Sequence, residues 1–132
     1  MIDHDFAARI YFDQTDAGGV VYHAAYLALA EHARTEALRE AGLPHGRLMA
    51  EHGVSFMVRR IILDYRRPAK LDDLLRIRTI SEAQGGATLV LRQQFWRGDE
   101  KLVDLGVTLA CVTLATGQPA RIPAAWRALH AA

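Results

Sequence analysis

One stretch limits what this chain can become more than any other. Ala24, Ala25, Tyr26, Leu27, Ala28, Leu29 and Ala30 are apolar on nearly every face of a helix. The helical pattern then continues to Ala41, with Leu27, Ala30, Ala37, Leu38 and Ala41 set against Arg34, Glu36, Arg39 and Glu40. Gly42 and Pro44 stop it. Such a helix is about 28 Å long at 1.5 Å per residue. A first half that is apolar all round must be covered on several sides, and a curved sheet is the natural cover.

The rest of the chain supplies that sheet. Residues 6–12 read as a first strand ending at the polar run 13–16. A short helix is expected over residues 44–52. Strands are expected over residues 54–65, 74–80, 87–96 and 102–114, each rich in Val, Ile, Leu or aromatics or alternating apolar with polar. Asp72-Asp73, Gly85-Gly86, Gly98-Asp99 and Gly117-Gln118-Pro119 provide turns between them. These connections are too short for crossover helices, so neighbouring strands pair antiparallel. The fold class is α+β: one long helix wrapped by a curved antiparallel sheet of about five strands, with a short helical tail over residues 121–130. Residues 1–132 read as a single domain. Residues 102–114 look apolar on both faces, which predicts a strand covered twice and a partner subunit to help cover it. A homo-oligomer is therefore expected.

Composition removes several classes of function. Sixteen basic and fifteen acidic side chains nearly cancel, so net charge gives no reason to expect nucleic-acid binding. The early acids and missing apolar core at the N-terminus do not make a signal peptide, and no run reaches the roughly 20 apolar residues of a membrane helix. The chain reads as cytoplasmic, without a membrane span. Cys111 is the single cysteine and sits in an apolar run, as a small buried side chain would. The six histidines show no zinc-ligand spacing, and there is no phosphate-binding glycine loop, so no metal and no cofactor are expected.

Chemistry concentrates before the helix. Asp16 stands in a turn, Gly18 and Gly19 free the backbone, and the helix begins near His23. The first amides of a helix lack intrahelical partners and favour negative charge. A carboxylate held beside them could activate water or attack a carbonyl, and the amides could bind the resulting oxyanion. Residue types alone also allow a plainer reading, in which Asp16 binds local amides and the glycines simply make a turn.

The stretch from Thr15 and Asp16 through Gly18, Gly19, Val21, Tyr22 and His23 to Tyr26 closely resembles the signature of hot-dog thioesterases of the hydroxybenzoyl-CoA thioesterase type. It is most similar to their YbgC branch, which is associated with the Tol-Pal system. Further matches lie at residues 31–36, 58–60 and 65–73. The resemblance implies a hot-dog fold and hydrolysis of an acyl-CoA or acyl-carrier-protein thioester, coenzyme A entering only as part of substrate and product. Hydratases and dehydratases share the fold, so those reactions stay open beside hydrolysis, as does a non-catalytic acyl-thioester-binding or scaffold protein.

It also implies roles for particular residues. Asp16 is the catalytic carboxylate and His23 its motif partner. Gly19, Val21, Tyr22 and Tyr26 surround the oxyanion and substrate, and Glu31 lies near the acyl pocket. Arg59, Arg60, Arg66, Arg67 and Lys70 are candidates for the coenzyme A phosphates. The site would lie between subunits of a dimer or of a dimer of dimers, a homotetramer. One position departs from the branch: Phe12 stands where tyrosine is usual. On a strand neighbours face opposite sides, so the adjacent Tyr11 would not restore that hydroxyl.

Overall fold

The computed structural model describes residues 1–130. Five strands form one sheet in the order β1-β3-β4-β5-β2, every neighbouring pair antiparallel. They are β1 (Asp3–Arg9), β2 (Val54–Tyr65), β3 (Leu74–Gln84), β4 (Thr88–Arg97) and β5 (Glu100–Thr113). The helices are α1 (Ala25–Glu40), α2 (His45–His52) and a short α3 (Ala124–Arg127). Register shifts in β2 at Val58/Arg60, in β3 at Ser81/Ala83 and between β4 and β5 at Phe95/Trp96 add the bends that let the sheet curve around α1.

The end of α1 is a Schellman motif. Gly42, at φ 77°, donates to Arg39 O at 3.0 Å, and Leu43 donates to Leu38 O at 2.9 Å. Ala30, Ala33 and Ala37 are buried on the sheet side, where their small side chains let the helix approach closely. Facing them, Leu75, Ile77, Leu89, Leu91, Phe95, Leu105, Val107 and Leu109 form the inner face of the sheet. Leu27 and Ala28 lie on the exposed side of α1. Cys111 is fully buried.

Inside this core runs one chain of polar contacts. Gln93, with no exposed surface, donates to Ala30 O and to Thr79 Oγ1, both at 3.0 Å. Its Oε1 accepts from Arg34 Nη1 at 3.0 Å, and Arg34, only 4% exposed, also pairs with Glu31. Burial lowers the Arg34 pKa from its usual value, and the Glu31 carboxylate opposes that shift.

Two expectations change. The first strand covers residues 3–9, not 6–12. Pairing with β3 recruits Asp3 and Asp5, whose carboxylates meet Arg78 and Arg76 across the strands. Phe12–Gln14 instead forms a 3-10 turn, fixed by the Gln14 side chain accepting the Tyr11 N–H at 2.7 Å. Alternating strand faces therefore do not govern Tyr11 and Phe12, and both are exposed. The second change concerns β5. Its inner face is buried, but its outer face carries Asp104, Gly106, Thr108 and Ala110, all part-exposed. Asp104 is ion-paired there with Arg92 and Lys101.

Candidate active site

A small hairpin carries Asp16 to the start of α1. Thr15 bridges Val21, Tyr22 N–H donates to Gln14 O at 2.8 Å, and Asp16 N–H donates to Val20 O at 2.9 Å. At the tip, Gly19 adopts φ 80° and donates to Asp16 O at 3.0 Å. Asp16 Oδ1 accepts the Gly18 N–H at 2.8 Å, which fixes the carboxylate while the side chain stays exposed. The turn-acid reading and the catalytic one thus describe the same geometry. A Cβ at position 18 would come to 3.1 Å from Asp16 Oδ1. Gly18→Ala is therefore expected to turn the carboxylate and lower turnover several-fold, with the melting temperature nearly unchanged. Steady-state kinetics beside a thermal melt check this.

The hairpin is tied to the segment after β2. Val21 N–H donates to Ala69 O at 2.9 Å, Val20 bridges Lys70, and Ala69 N–H donates to Tyr26 Oη at 3.0 Å. That segment is braced in turn by Arg97, which donates to Pro68 O at 3.3 Å and Asp73 Oδ2 at 2.7 Å and pairs with Glu100. Burial pushes the Asp73 carboxyl up, but the bonds from Arg97 and the Lys70 N–H outweigh it and hold the pKa below the usual range.

A cavity of about 210 Å³ opens beside the helix start, lined by Val21, His23, Tyr26, Tyr65, Arg66, Arg67 and Pro68. The Tyr26 ring packs edge-on against Tyr65 and Phe95, at 5.5 and 5.6 Å between centroids. Burial pushes both the Tyr26 and the Tyr65 phenols up, so each keeps its proton at neutral pH. Tyr65 Oη donates to the His23 carbonyl at 2.8 Å. Around this point the amides divide. Those of Val21 and Tyr22 are committed to Ala69 and Gln14, and that of Ala25 to Tyr22 O. Among the described residues the N–H groups of His23, Ala24 and Tyr26 have no protein acceptor. The amides open to an anion therefore lie one step further along the chain than Val21 and Tyr22.

The expected site residues separate into groups. Val21, His23, Tyr26, Arg66 and Arg67 line the cavity, while Asp16, Gly19 and Tyr22 belong to the adjoining hairpin, which Val20 joins to Lys70, and do not line it. Arg66 already faces Asp64 and Asp104, each at 3.8 Å, and Arg67 pairs with Glu100 at 2.9 Å. Arg59 and Arg60 sit at the bulge halfway along β2, exposed. Arg60 is about 16 Å from Tyr65 at the rise of a strand. Glu31 is also apart. It lines a second, more enclosed cavity of about 100 Å³ with Arg34, Leu38, His45, Phe56, Val58, Leu89, Leu91 and Leu109. Tyr65 and Arg97 had no assigned role from sequence. Their contacts to residues 23 and 68 cross 42 and 29 positions, which no local pattern reveals.

Among the described residues no group of three or more His, Cys, Asp or Glu side chains is placed to hold a metal ion, and no helix is long and apolar enough to cross a membrane. A long helix cradled by a curved antiparallel sheet, with an acid turn at the helix start, defines the hot-dog class. The thioesterase superfamily profile matches residues 18–104, and the chain belongs to that family, in its YbgC-like branch. It is by class a thioester hydrolase.

Among its relatives, the acyl-CoA thioesterase YbgC of Haemophilus influenzae is 41% identical over 125 residues, covering 93% of this chain and 92% of that protein. The acyl-CoA thioester hydrolase YbgC of Escherichia coli O6:H1 is 41% identical over 116 residues, covering 87% and 86%. In structure the chain is similar to a probable thioesterase from Bartonella henselae, with a TM-score of 0.86 at 37% identity, covering 92% of this chain and 99% of the other.

Proposed function

We propose that the protein hydrolyses acyl-CoA thioesters to the free acid and coenzyme A, with Asp16 as general base or nucleophile. The observation that carries this is the pairing of a fixed carboxylate with a helix start whose His23, Ala24 and Tyr26 N–H groups are uncommitted. With Asp16 as base, the carboxylate takes a proton from water, the hydroxyl oxygen bonds to the thioester carbon, and the carbonyl oxygen becomes an oxyanion held by the free amides. Collapse breaks the C–S bond and releases the thiolate. With Asp16 as nucleophile, its oxygen bonds to the same carbon, thiolate leaves, and water cleaves the resulting anhydride. The exposed His23 ring lies at the cavity mouth, where it orients water or substrate. An acyl-carrier-protein thioester presents the same reacting atoms and is the second substrate class of this reading.

Arg66, Arg67 and Lys70 flank the cavity and are the phosphate contacts of its own subunit. A volume of about 210 Å³ is below the roughly 300–1,000 Å³ of most ligand pockets. The remainder of the site is supplied by a second copy of the chain. β2 is an edge strand with Met57, Val58, Ile62 and Tyr65 about half exposed, an exposed apolar edge of the kind that pairs with another strand. Two-fold pairing of β2 with itself sets the Tyr65 end of one subunit against the Phe56 end of its partner. Each Asp16 site then meets the cavity that Glu31 lines, and Arg59 and Arg60 fall in the interface. The open outer face of the sheet suits a further pairing into a tetramer. Association with the Tol-Pal system, implied by the resemblance, completes the reading.

Two measurements test it. Mass spectrometry of products from one saturated acyl-CoA and its enoyl counterpart is expected to show free acid and coenzyme A. A 3-hydroxyacyl-CoA product without thiol release would instead establish a hydratase. Light scattering is expected to give a dimer or larger for the native chain and a monomer for Met57→Asp/Ile62→Asp. A native monomer at micromolar concentration would reject the shared site.

A further inference from the structure

We propose that Tyr65 is a positioning residue for the reaction: its phenol O–H, by holding the His23 carbonyl, sets the direction of Ala24 N–H, one of the amides that receive the oxyanion. This rests on the thioesterase reading above. The His23 carbonyl lies at the point where α1 is not yet regular. Leu27 N–H, which would reach His23 O in a regular α-helix, bonds to Ala24 O instead at 3.1 Å. The His23 oxygen is left for a partner from outside the helix, and Tyr65 is that partner at 2.8 Å.

A peptide unit is planar and trans, so its C=O and N–H point in opposite directions. Fixing His23 C=O therefore fixes Ala24 N–H. The preceding unit is fixed in the same way, because Tyr22 O accepts from Ala25 N–H at 2.9 Å and thereby orients His23 N–H. One of these two anchors is local to the helix. The other comes from the end of β2, 42 residues away in sequence. Tyr65 is itself held, its ring against Tyr26, whose own oxygen accepts Ala69 N–H. Donors that already point at the place where charge develops need no reorganisation during reaction, which is where such groups gain their effect.

The test is Tyr65→Phe, which keeps the ring and removes only the hydroxyl, assayed for kcat, KM, melting temperature and the amide chemical shifts of residues 23–26. Loss of a whole oxyanion donor costs roughly 10²–10³ in kcat, and loosening one should cost less, about tenfold or more. The expected result is that fall in kcat with KM within about twofold, a nearly unchanged melting temperature and subunit mass, and a shifted Ala24 amide resonance. A purely structural tyrosine would lower the melting temperature and leave kcat alone, and that result overturns the proposal. Asp16→Ala, run alongside, separates the two readings. Full activity in Asp16→Ala with reduced kcat in Tyr65→Phe rejects the carboxylate and keeps Tyr65. The converse rejects Tyr65 alone. Absence of any thiol release by the native protein rejects both.

Discussion

Asp16→Ala is expected to lower kcat for thioester hydrolysis by roughly 10³-fold while the protein keeps its fold. A positioned general base contributes about 10²–10⁴ in rate, and a nucleophile that forms the intermediate is at least as important. The fold should tolerate the change because Asp16 is exposed and its side chain makes one bond, to Gly18 N–H. The remaining activity reflects the helix amides and substrate binding. Single turnover in ¹⁸O-labelled water distinguishes the two chemical routes. A general base places label directly into the product acid. A nucleophilic Asp16 delivers its own unlabelled oxygen in the first turnover, when water attacks the carboxylate carbon of the anhydride.

Gln93→Leu is expected to produce the largest loss of stability. The two side chains are close in size, so the substitution leaves little cavity and isolates the polar effect. It strips a hydrogen-bond partner from the Ala30 carbonyl, from Thr79 Oγ1 and from the Arg34 guanidinium, all inside the core. A buried polar group left unsatisfied costs about 1–3 kcal/mol, and more when charged. The Ala30 carbonyl keeps its helical donor and Arg34 keeps Glu31, so the expected loss is roughly 2–4 kcal/mol. That is a large share of the ~5–15 kcal/mol that holds a typical domain folded. A urea titration reads it as a fall in midpoint at constant slope. A midpoint within error of the native value would mean that the network contributes no net stability.

Elements bounded by strong local signals were legible from sequence. α1 stops at Gly42 because only a left-handed residue completes the Schellman bonds, and that signal is visible in the chain. β2 keeps the span 54–65 because Gly53, at φ 63°, ends α2 on one side and Pro68 follows on the other. β1 was displaced because the aromatics Tyr11 and Phe12 suit a strand by type, while Asp3 and Asp5 do not. Their cross-strand arginines, more than 70 residues away, decide the pairing. β5 is an interior strand as expected, but its outer face is less apolar than the sequence suggested. Asp104 sits within an apolar run; Lys101 is three residues away on the same strand, but Arg92 reaches it only when β4 and β5 pair.

The candidate site was half legible. Asp16, the glycines and His23 lie within eight residues, so turn chemistry and resemblance could find them together. Which amides remain free was not legible, because Val21 and Tyr22 lose theirs to Ala69 and Gln14 once the hairpin closes. Nor was Tyr65, since a strand-end tyrosine looks the same whether it faces solvent or grips the start of a helix. Phe12 lies in a 3-10 turn rather than on a strand, 80% exposed in the single chain.

The most direct test is free-thiol release from a panel of acyl-CoA esters of graded chain length and ring content, with the native protein and folded Asp16→Ala side by side. Steady release of coenzyme A from at least one ester by the native protein, reduced by roughly 10³ in the variant, is the predicted result. No release from any ester, or equal release by the two proteins, would contradict it.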